Sequence, residues 1–586
     1  MNKTNWWSVG AGLLLAVLAL SGPGGPAHSA VGEFPGWTAA VVLASAAAVG
    51  FARSRAGLER GFGWVCSVPR ARFNFGIFAV AFLAYAGVAG FVFKGIPRID
   101  DGLASLFQAK IFARGALTLP LPADADFCWA FGILGHRQGF AHWCGMYPPG
   151  WPALLVPGVW LGLPWLVNPL LGAGLVVAIA ELGRDLYNGR VGRAAALLAL
   201  PSPFLLVLSG LHLSNVPTAL CLCLALLALR KLWATGRWLW GGAAGLAWGV
   251  ALLCRPLDAA VLGALFALAF LFPAKRLDRC RGGIVAGLVA AGLAIGATFA
   301  FQQATTGDWA TPGHEIGMGS RGQFGFVQLT SYKAHTPATG LEHTGLRLRA
   351  LNDHLLGWPV PALFVVLLPF LLGRARTKEW LLLLPLPALL GTFACFWYYE
   401  VEFPARYVSA ATPYLFVLAA RGLFALREST ANRPALARLP AFLAVSGTLF
   451  LAVSLPAHFR AYDADYYDVE SVLPRVVRDY GIANAVVFMD AVGLDRSEAD
   501  DDNDFYATGF MRNELDLRGD VLYVRNLRER NADLLRRHPG RAAYLYRYVR
   551  DQDKAILYRM RRTGEAVELE PVEPRTPDLL PAPPAE

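Results

Sequence analysis

Long apolar runs alternate along this chain with short segments that are rich in arginine and lysine. Because a helix that crosses a bilayer needs about 20 mostly apolar residues, this pattern predicts a series of membrane-spanning helices. We expect them at 8–21, 36–52, 75–93, 193–211, 215–229, 238–254, 257–273, 282–301, 359–373, 380–397, 408–424 and 437–455. The segment 152–181 is longer and is broken by Pro157, Pro164 and Pro169. It predicts either one kinked passage or a helical hairpin.

The composition agrees with this pattern. Of the 586 residues, 55% are hydrophobic and only 16% are charged, and the mean hydropathy is +0.41. A soluble enzyme carries more charge and less apolar surface than this. The expected fold class is therefore a polytopic α-helical membrane protein.

The basic residues orient the helices, because lysine and arginine in short loops mark the cytoplasmic side of a membrane. Clusters of them lie at 53–72, 184–193, 230–237, 275–281, 374–378 and 421–438. If 152–181 crosses once, every cluster lies on the same side, which predicts about 13 helices with the N-terminus inside. The loops 94–151 and 302–357 and everything after about residue 457 then lie on the extracytoplasmic side of a cytoplasmic (inner) membrane.

The first 30 residues have two interpretations. Lys3, an apolar run and the small-residue ending "PAHSA" are typical of a cleaved signal peptide. A retained first helix fits the same residues, and the choice does not change the topology of the rest.

Charge separates the C-terminal part from the membrane part. Residues 457–586 carry 19 Lys and Arg against 25 Asp and Glu, a net charge of −6, whereas the preceding residues carry +16. The overall charge of +10 thus reflects membrane topology and gives no reason to expect a nucleic-acid partner.

The C-terminal part also has soluble patterning. The strand-like segments "NAVVFMD", "DVLYVRN" and "AAYLYRYV" alternate with helix-like segments. This alternation predicts a small extracytoplasmic α/β domain with a partly parallel sheet.

Four domains are expected from these boundaries. They are N-terminal transmembrane helices with a cytoplasmic loop (1–74), a transmembrane catalytic domain that includes both outer loops (75–456), the α/β domain (457–564) and a tail (565–586). The tail is rich in proline and glutamate, which predicts disorder.

Two of the eight cysteines, Cys128 and Cys144, lie in an expected outer loop. Thiols outside the cytoplasm oxidise, so a Cys128–Cys144 disulfide is expected. The alternative is a metal site with His136 and His142, although no recognisable zinc-ligand spacing accompanies them.

Three quoted segments carry a family resemblance. "RIDDGLASLFQAKIFARG", followed by "MYPPGWPALLVPGVWLG", resembles the first outer loop of the GT-C membrane glycosyltransferases. This superfamily includes protein O-mannosyltransferases, aminoarabinose transferases and the bacterial RgtA/B/C/D-like enzymes. The later segment "EFPARYVSAATPYL" is similar to the family's Gly-Pro-Arg-Tyr segment, with Pro-Ala in place of Gly-Pro.

The resemblance implies transfer of a sugar from a polyprenyl-phosphate donor to an extracytoplasmic glycan, lipid or protein, with inversion. Asp100 matches the family's general base, which removes the acceptor's proton. Asp101 replaces the commoner glutamate and is expected to steer the acceptor, bind a divalent cation or raise the pKa of Asp100. No cofactor is certain, and the identity of any metal is unknown.

Negative charge accumulates on the departing lipid phosphate, so a phosphate-binding group is also needed. Arg406 in "PARY" is the best candidate, because guanidinium grips phosphate with two hydrogen bonds, and Tyr407 is a supporting donor. Arg255 either pairs with Asp258 or contacts phosphate. His212 binds the sugar or caps a helix end. Tyr147 is expected to contact the sugar or the prenyl chain, or to anchor the interface.

Two other function classes remain as alternatives. One is a flippase or transporter for lipid-linked sugars, although few charges lie within the expected helices. The other is a membrane receptor or scaffold without catalytic activity, whose C-terminal domain binds a partner.

Overall fold

A computed structural model of the chain describes residues 52–271, 277–329, 333–400, 403, 405–432, 439–463, 469–492, 501–549, 552–563 and 566–582. The predicted helix 8–21 lies outside these residues, and 36–52 overlaps them only at Ala52. The choice between a signal peptide and a retained helix also lies outside them.

The described residues form α-helices and two β-sheets, numbered in chain order. The helices are α1 (Ala52–Ser67), α2 (Arg70–Gly87), α3 (Asp100–Ala113), α4 (Gly150–Trp160), α5 (Val167–Leu186), α6 (Gly189–Ala199), α7 (Pro203–Gly210), α8 (Asn215–Thr235), α9 (Trp238–Cys254), α10 (Pro256–Leu271), α11 (Leu277–Thr306), α12 (Gly313–Met318), α13 (Pro337–His354), α14 (Ala362–Leu371), α15 (Thr377–Leu383), α16 (Pro385–Ala394), α17 (Thr412–Thr430), α18 (Leu439–Asp463), α19 (Leu473–Asp479), α20 (Asp501–Phe510) and α21 (Asn531–Arg537). The strands are β1 (Leu119–Pro120), β2 (Ile133–Leu134), β3 (His142–Gly145), β4 (Ala485–Val492), β5 (Val521–Arg525), β6 (Ala542–Val549), β7 (Lys554–Thr563) and β8 (Ala566–Pro571).

Within the described ranges, five helical segments are long and apolar enough to cross a membrane. They are Arg70–Val92, Pro164–Leu186, Asn215–Thr235, Leu277–Thr306 and Arg406–Thr430. The pair α6 and α7, bent by 65°, adds a sixth if it is one broken span, and α9, α14 and parts of α10 and α18 are shorter apolar helices. The chain is thus a multi-pass helical membrane protein, and the number of about 13 helices stays a prediction.

Proline explains where the structure divides expected helices. The expected helix 193–211 is split before Pro203, where the Ser202 hydroxyl accepts a hydrogen bond from the Leu205 amide at 3.4 Å and starts α7. The expected helix 380–397 is similarly divided, because α16 begins at Pro385. Proline has no amide hydrogen to continue the preceding helix and is tolerated in a first turn.

The chain folds into two compact units. The described residues of the first unit fall within Met1–Phe91, Trp165–Phe299 and Gln323–Phe459. In this membrane unit, α5 packs against α2, α6 and α8, and α14 packs against α17. The carboxylate of Glu181 on α5 accepts hydrogen bonds from Arg70 and Asn74 of α2 at 2.6–2.8 Å.

Helices α9 and α11 of the membrane unit approach so closely that only glycine fits between them. A Cβ atom on Gly241 would lie 1.9 Å from the carbonyl oxygen of Gly283, and one on Gly245 would lie 2.2 Å from that of Gly287. Glycines four residues apart on both helices allow this backbone contact, a packing mode typical of membrane helices.

The second unit, Val92–Pro164, Ala300–Gly322 and Arg460–Glu586, contains both sheets. The five-stranded sheet has the order β5-β4-β6-β7-β8. β4 is parallel to β5 and β6, whereas β7 is antiparallel to β6 and β8. The small sheet β1-β3-β2 is antiparallel and belongs to the loop after α3.

One hydrophobic core joins α3 to the five-stranded sheet within this second unit. Leu103 and Phe107 of α3 belong to the same buried cluster as Val486 of β4. The Phe107 ring lies 5.3 Å from that of Phe510 and 5.1 Å from that of Trp143. This division differs from the expected one, which placed 94–151 with the membrane helices, because the apolar face of α3 packs on the C-terminal fold.

The C-terminal end also differs from the expected disordered tail at 565–586. Its residues Ala566–Pro571 form the edge strand β8, paired with β7. Further along, the carboxylate of Asp578 accepts two hydrogen bonds from Arg475, at 2.8 and 3.1 Å. Strand pairing and an ion pair thus order a segment whose composition suggested disorder.

Candidate active site

The acid pair lies on the first turn of α3. Ile99 has an extended backbone before the helix, and Asp100 and Asp101 are its first two residues. Both side chains are half-buried. The amide end of a helix carries partial positive charge, which stabilises carboxylates placed there. The sequence therefore puts two acids at the amide end of this helix.

Tyr147 contacts one member of the acid pair. Its hydroxyl donates a hydrogen bond to Oδ1 of Asp101, with 2.5 Å between the oxygens. Gly132 has φ +81°, and a Cβ atom there would lie 2.7 Å from Cβ of Ala104 and 3.4 Å from the Tyr147 ring. The loop 132–147 thus passes close to the start of α3, and the hydrogen bond fixes the orientation of the Asp101 carboxylate.

The rest of α3 is fixed by buried polar contacts. Gln108, which is 1% exposed, accepts a hydrogen bond from the Gly145 amide at 2.8 Å and donates one to the Leu117 carbonyl at 2.9 Å. Lys110 donates to the Met511 carbonyl at 2.8 Å, and burial lowers the pKa of this lysine. Gln108 thus fixes α3 to the loop that follows it, and Lys110 fixes it to the C-terminal fold.

The membrane unit contains the second candidate cluster, built around the ring of Tyr407. The guanidinium carbons of Arg255, Arg347 and Arg406 lie 5.2, 5.7 and 5.7 Å from the ring centroid. The ring also stacks on Phe393, with 4.8 Å between centroids. We call Arg255, Arg347, Arg406 and Tyr407 the arginine cluster.

Arg347 and Arg255 are each paired with a buried carboxylate. Arg347 and Glu400 are both completely buried and their ion pair is 2.8 Å long. Arg255 Nε lies 2.9 Å from Oδ2 of Asp258, as one of the two sequence interpretations expected. Burial raises the pKa of Glu400, although Arg347 opposes this shift. The named groups amount to three cations and two anions.

Backbone contacts fix the segment that carries Arg406. The Glu400 carboxylate accepts a hydrogen bond from the Tyr407 amide at 2.9 Å. Asn215, at the start of α8, donates to the Arg406 carbonyl at 2.7 Å and to the Ser409 hydroxyl at 3.1 Å. Arg406 itself is 3% exposed. The backbone that carries Arg406 and Tyr407 is therefore held by hydrogen bonds to Glu400 and Asn215.

His212 lies between α7 and α8 and is 3% exposed. Burial lowers the pKa of its imidazole to about 4, so that the ring is neutral at physiological pH. Its predicted contact with the sugar stays a prediction. In the described part of the chain, no group of three or more His, Cys, Asp and Glu side chains is arranged to hold a metal ion.

The expected Cys128–Cys144 disulfide is not formed in this structure, where both thiols are free and buried. Cys128 lies in the core shared with the five-stranded sheet, with its sulfur 3.8 Å from the Tyr523 carbonyl. Cys144 packs in a separate cluster with Leu134 and Met146. Burial raises the pKa of each thiol to about 12. Both cysteines thus act as apolar core residues, which corrects the sequence-based expectation.

Sequence reasoning missed Arg347 and Glu400. A signal was present, since Glu400 follows the aromatic run "FWYY", where an unpaired charge would be costly. Its partner could not be found, because Arg347 is 53 positions away on a helix with several other charges. Arg98, in the motif "RIDDG", was also overlooked beside the two acids.

The family model for dolichyl-phosphate-mannose-protein mannosyltransferase matches residues 165–300, less than a quarter of the chain. This range contains His212 and Arg255 and ends within α11. The match supports the resemblance to the GT-C superfamily glycosyltransferases, which is confirmed at that level. A comparison with curated protein sequences gives no match.

The solved structures to which this chain is similar share only 11–15% sequence identity with it. ArnT from Cupriavidus metallidurans in the apo state is 15% identical with a TM-score of 0.43, and the match covers 80% of this chain and 92% of that one. The same protein bound to undecaprenyl phosphate is 14% identical, with a TM-score of 0.42 and the same coverage. The oligosaccharyltransferase AglB from Archaeoglobus fulgidus, in complex with an inhibitory peptide and a dolichol-phosphate, is 11% identical, with a TM-score of 0.39 and coverage of 81% and 69%.

Proposed function

We propose that this chain is an integral-membrane glycosyltransferase that moves a sugar from a polyprenyl-phosphate donor to an extracytoplasmic acceptor, with inversion at the anomeric carbon. The acceptor is a hydroxyl of a cell-envelope glycan, lipid or protein. The observation that carries this proposal is the arginine cluster, in which three guanidinium carbons lie 5.2–5.7 Å from the centroid of one tyrosine ring.

The charge of the cluster suits a phosphate group. Glu400 and Asp258 pair with Arg347 and Arg255, and Arg406 brings a third guanidinium group to the same tyrosine ring. Guanidinium binds phosphate oxygens with paired hydrogen bonds, and burial strengthens the electrostatic attraction. In this proposal Arg406 holds the donor phosphate and Tyr407 and Arg255 support it.

The acid pair supplies the base. Asp100 takes the proton of the acceptor hydroxyl while the oxygen of that hydroxyl bonds to the anomeric carbon. The bond from that carbon to the phosphate oxygen breaks, and its electron pair leaves with the polyprenyl phosphate. Asp101, oriented by Tyr147, steers the acceptor. Positive charge at the arginine cluster stabilises the negative charge that develops on the leaving phosphate.

The proposal also includes the sidedness of the protein. The acid pair, the loop 302–357 and the C-terminal α/β fold face the extracytoplasmic side of the inner membrane, as the positive-inside rule favours. His212 and Tyr147 are proposed contacts of the substrates. A reporter fused after residue 460 should be active only outside the cytoplasm, and one fused near Arg279 only inside.

Sugar transfer by the purified full-length chain tests the function. The chain, in detergent or nanodiscs, is incubated with a radiolabelled polyprenyl-phosphate sugar and an envelope lipid extract. We expect label to move from the donor to an acceptor in the wild type and not in Asp100→Asn. The anomeric configuration of the product, read by NMR, should be opposite to that of the donor.

Two results would contradict the proposal. If vesicles carrying the chain move the intact labelled donor across the bilayer and yield no glycosylated product, the protein is a flippase. If the wild type neither binds nor consumes any polyprenyl-phosphate sugar in a panel of hexose and pentose donors, the transferase assignment is wrong.

A further inference from the structure

Arg98 is a completely buried cation two residues before the acid pair. Its side chain is 1% exposed. Its Nη1 atom donates a hydrogen bond to the Val469 carbonyl at 2.7 Å, and its Nε atom donates to the Phe93 carbonyl at 3.4 Å. Burying a guanidinium group is costly unless its donors are satisfied. Starting a helix does not require a buried guanidinium group with two backbone hydrogen bonds, so these contacts indicate a further role for Arg98.

The contact with Val469 spans 371 positions and joins Arg98 to the C-terminal fold. The next residue, Glu470, is 1% exposed and lies just before α19. Its carboxylate accepts hydrogen bonds from the amide of Val472 and, at 3.0 Å, from that of Leu473. The hydroxyl of Tyr546 on β6 donates to the same carboxylate at 3.1 Å. Glu470 therefore ties the backbone at Val469 to a helix and to the central sheet.

We propose that Arg98 is a positioning residue that anchors the first turn of α3, and with it Asp100 and Asp101, to the C-terminal α/β fold through the Val469 carbonyl. The C-terminal fold then has a catalytic purpose, since it holds the acids in place. The consequence for sugar transfer rests on the proposed function, whereas the anchoring itself does not.

The acids depend on Arg98 more than on the anchor at the other end of α3. Ile99, directly after Arg98, provides the carbonyl that accepts the first helical hydrogen bonds, from the amides of Gly102 and Leu103 at 2.9 and 3.2 Å. Lys110 also donates to a carbonyl of the C-terminal fold, but it lies about 14 Å further along the helix axis. Release of Arg98 frees the turn that carries the acids, and release of Lys110 frees the opposite end.

The test compares Arg98→Met, Arg98→Lys and the matched control Lys110→Met in the full-length chain. Methionine keeps the apolar stem and removes the donors, and lysine restores one donor. A misplacement of about 1 Å lowers turnover by about 100-fold, so we expect kcat of Arg98→Met to fall by that order, with KM for the polyprenyl-phosphate sugar within about twofold. The kcat of Arg98→Lys should be about a tenth of the wild-type value, and the kcat of Lys110→Met should fall by less than about threefold.

Hydrogen exchange gives a readout that does not depend on activity. In a peptide covering 98–105, the amides should exchange at least about tenfold faster in Arg98→Met than in the wild type or Lys110→Met. Wild-type kcat in a folded Arg98→Met protein, or equal losses in both methionine variants, would overturn the catalytic role. If Arg98→Met does not accumulate, Arg98→Lys decides, and wild-type exchange and kcat in that variant would refute the proposal.

These outcomes separate the inference from the proposed function. If the wild type transfers no sugar, the proposed function fails, and faster exchange at 98–105 in Arg98→Met still supports the anchor. If the wild type is active but exchange and kcat do not respond to Arg98, the anchor fails and the transferase assignment stands.

Discussion

The ion pair between Arg347 and Glu400 gives the sharpest energetic prediction. Both side chains are 0% exposed. Besides binding Glu400, Arg347 donates to the Phe393 carbonyl at 2.9 Å and to the Tyr398 carbonyl at 2.7 Å. Arg347→Met replaces the side chain by an apolar one of similar length, which fills the same space without the guanidinium hydrogen bonds. It also leaves the Glu400 carboxylate buried without this partner.

The cost follows from the burial of the pair. Removing one partner of a buried ion pair destabilises a protein by about 3–5 kcal/mol, because the other charge loses its compensation. Burial already raises the pKa of Glu400, so without Arg347 the carboxyl group can take up a proton. This limits the loss, and we expect about 3 kcal/mol for Arg347→Met. In the double variant with Glu400→Gln, the losses should fall short of additivity by about 1–3 kcal/mol.

The assay is a double-mutant cycle on the wild type, both single variants and the double variant, with unfolding measured in one detergent. Donor binding is measured alongside, because the net charge of the arginine cluster changes. At a pH that keeps Glu400 ionised, Arg347→Met lowers the net charge of the cluster by one, and adding Glu400→Gln raises it by one. Affinity for the polyprenyl-phosphate sugar should therefore fall in Arg347→Met and recover in part in the double variant.

Additive stability losses would show that the two side chains are not energetically coupled. Unchanged donor affinity in a folded Arg347→Met protein would show that this arginine does not contribute to a phosphate site. Either result would refute the corresponding part of the reasoning.

Three further predictions concern other side chains. Asp100→Asn keeps the shape of the carboxyl group without its basicity, so sugar transfer should fall by about 100-fold or more with donor binding unchanged, and Asp101→Asn should be milder; the reverse order in a transfer assay would exchange their roles. Arg406→Ala should raise KM as well as lower kcat, because a phosphate contact acts in the ground state and the transition state alike, whereas an unchanged KM would remove Arg406 from the donor site. Burial raises the pKa of Glu470 to about 7, above the value of about 4.3 for an unfolded chain, so the folded protein binds this proton more tightly. The contribution of Glu470 to the free energy of unfolding should be largest below about pH 4.3 and fall by up to about 3 kcal/mol as the pH rises to about 7, and thermal unfolding of Glu470→Gln should lack this part of the slope.

The sequence alone determined those features that depend on neighbouring residues. The expected helix 238–254 coincides with α9, and 215–229 lies within α8. The segments "NAVVFMD" and "AAYLYRYV" overlap β4 and β6. Hydropathy and side-chain periodicity act over one helix or strand, so a local pattern is sufficient to place such elements. The acids at the start of α3 were found in the same way, from their position after an apolar run.

Only the tertiary structure decided which distant residues meet. Nothing in the local pattern joins Arg98 to Val469 or Arg347 to Glu400, because such contacts depend on how whole elements pack. The free thiol of Cys128 has the same origin: the side chain entered an apolar core that included residues almost 400 positions later. A buried charge or thiol is recognisable in a sequence by its type, but its partner and its burial are set by long-range packing, where the low polarity of the interior determines the free energy of each group.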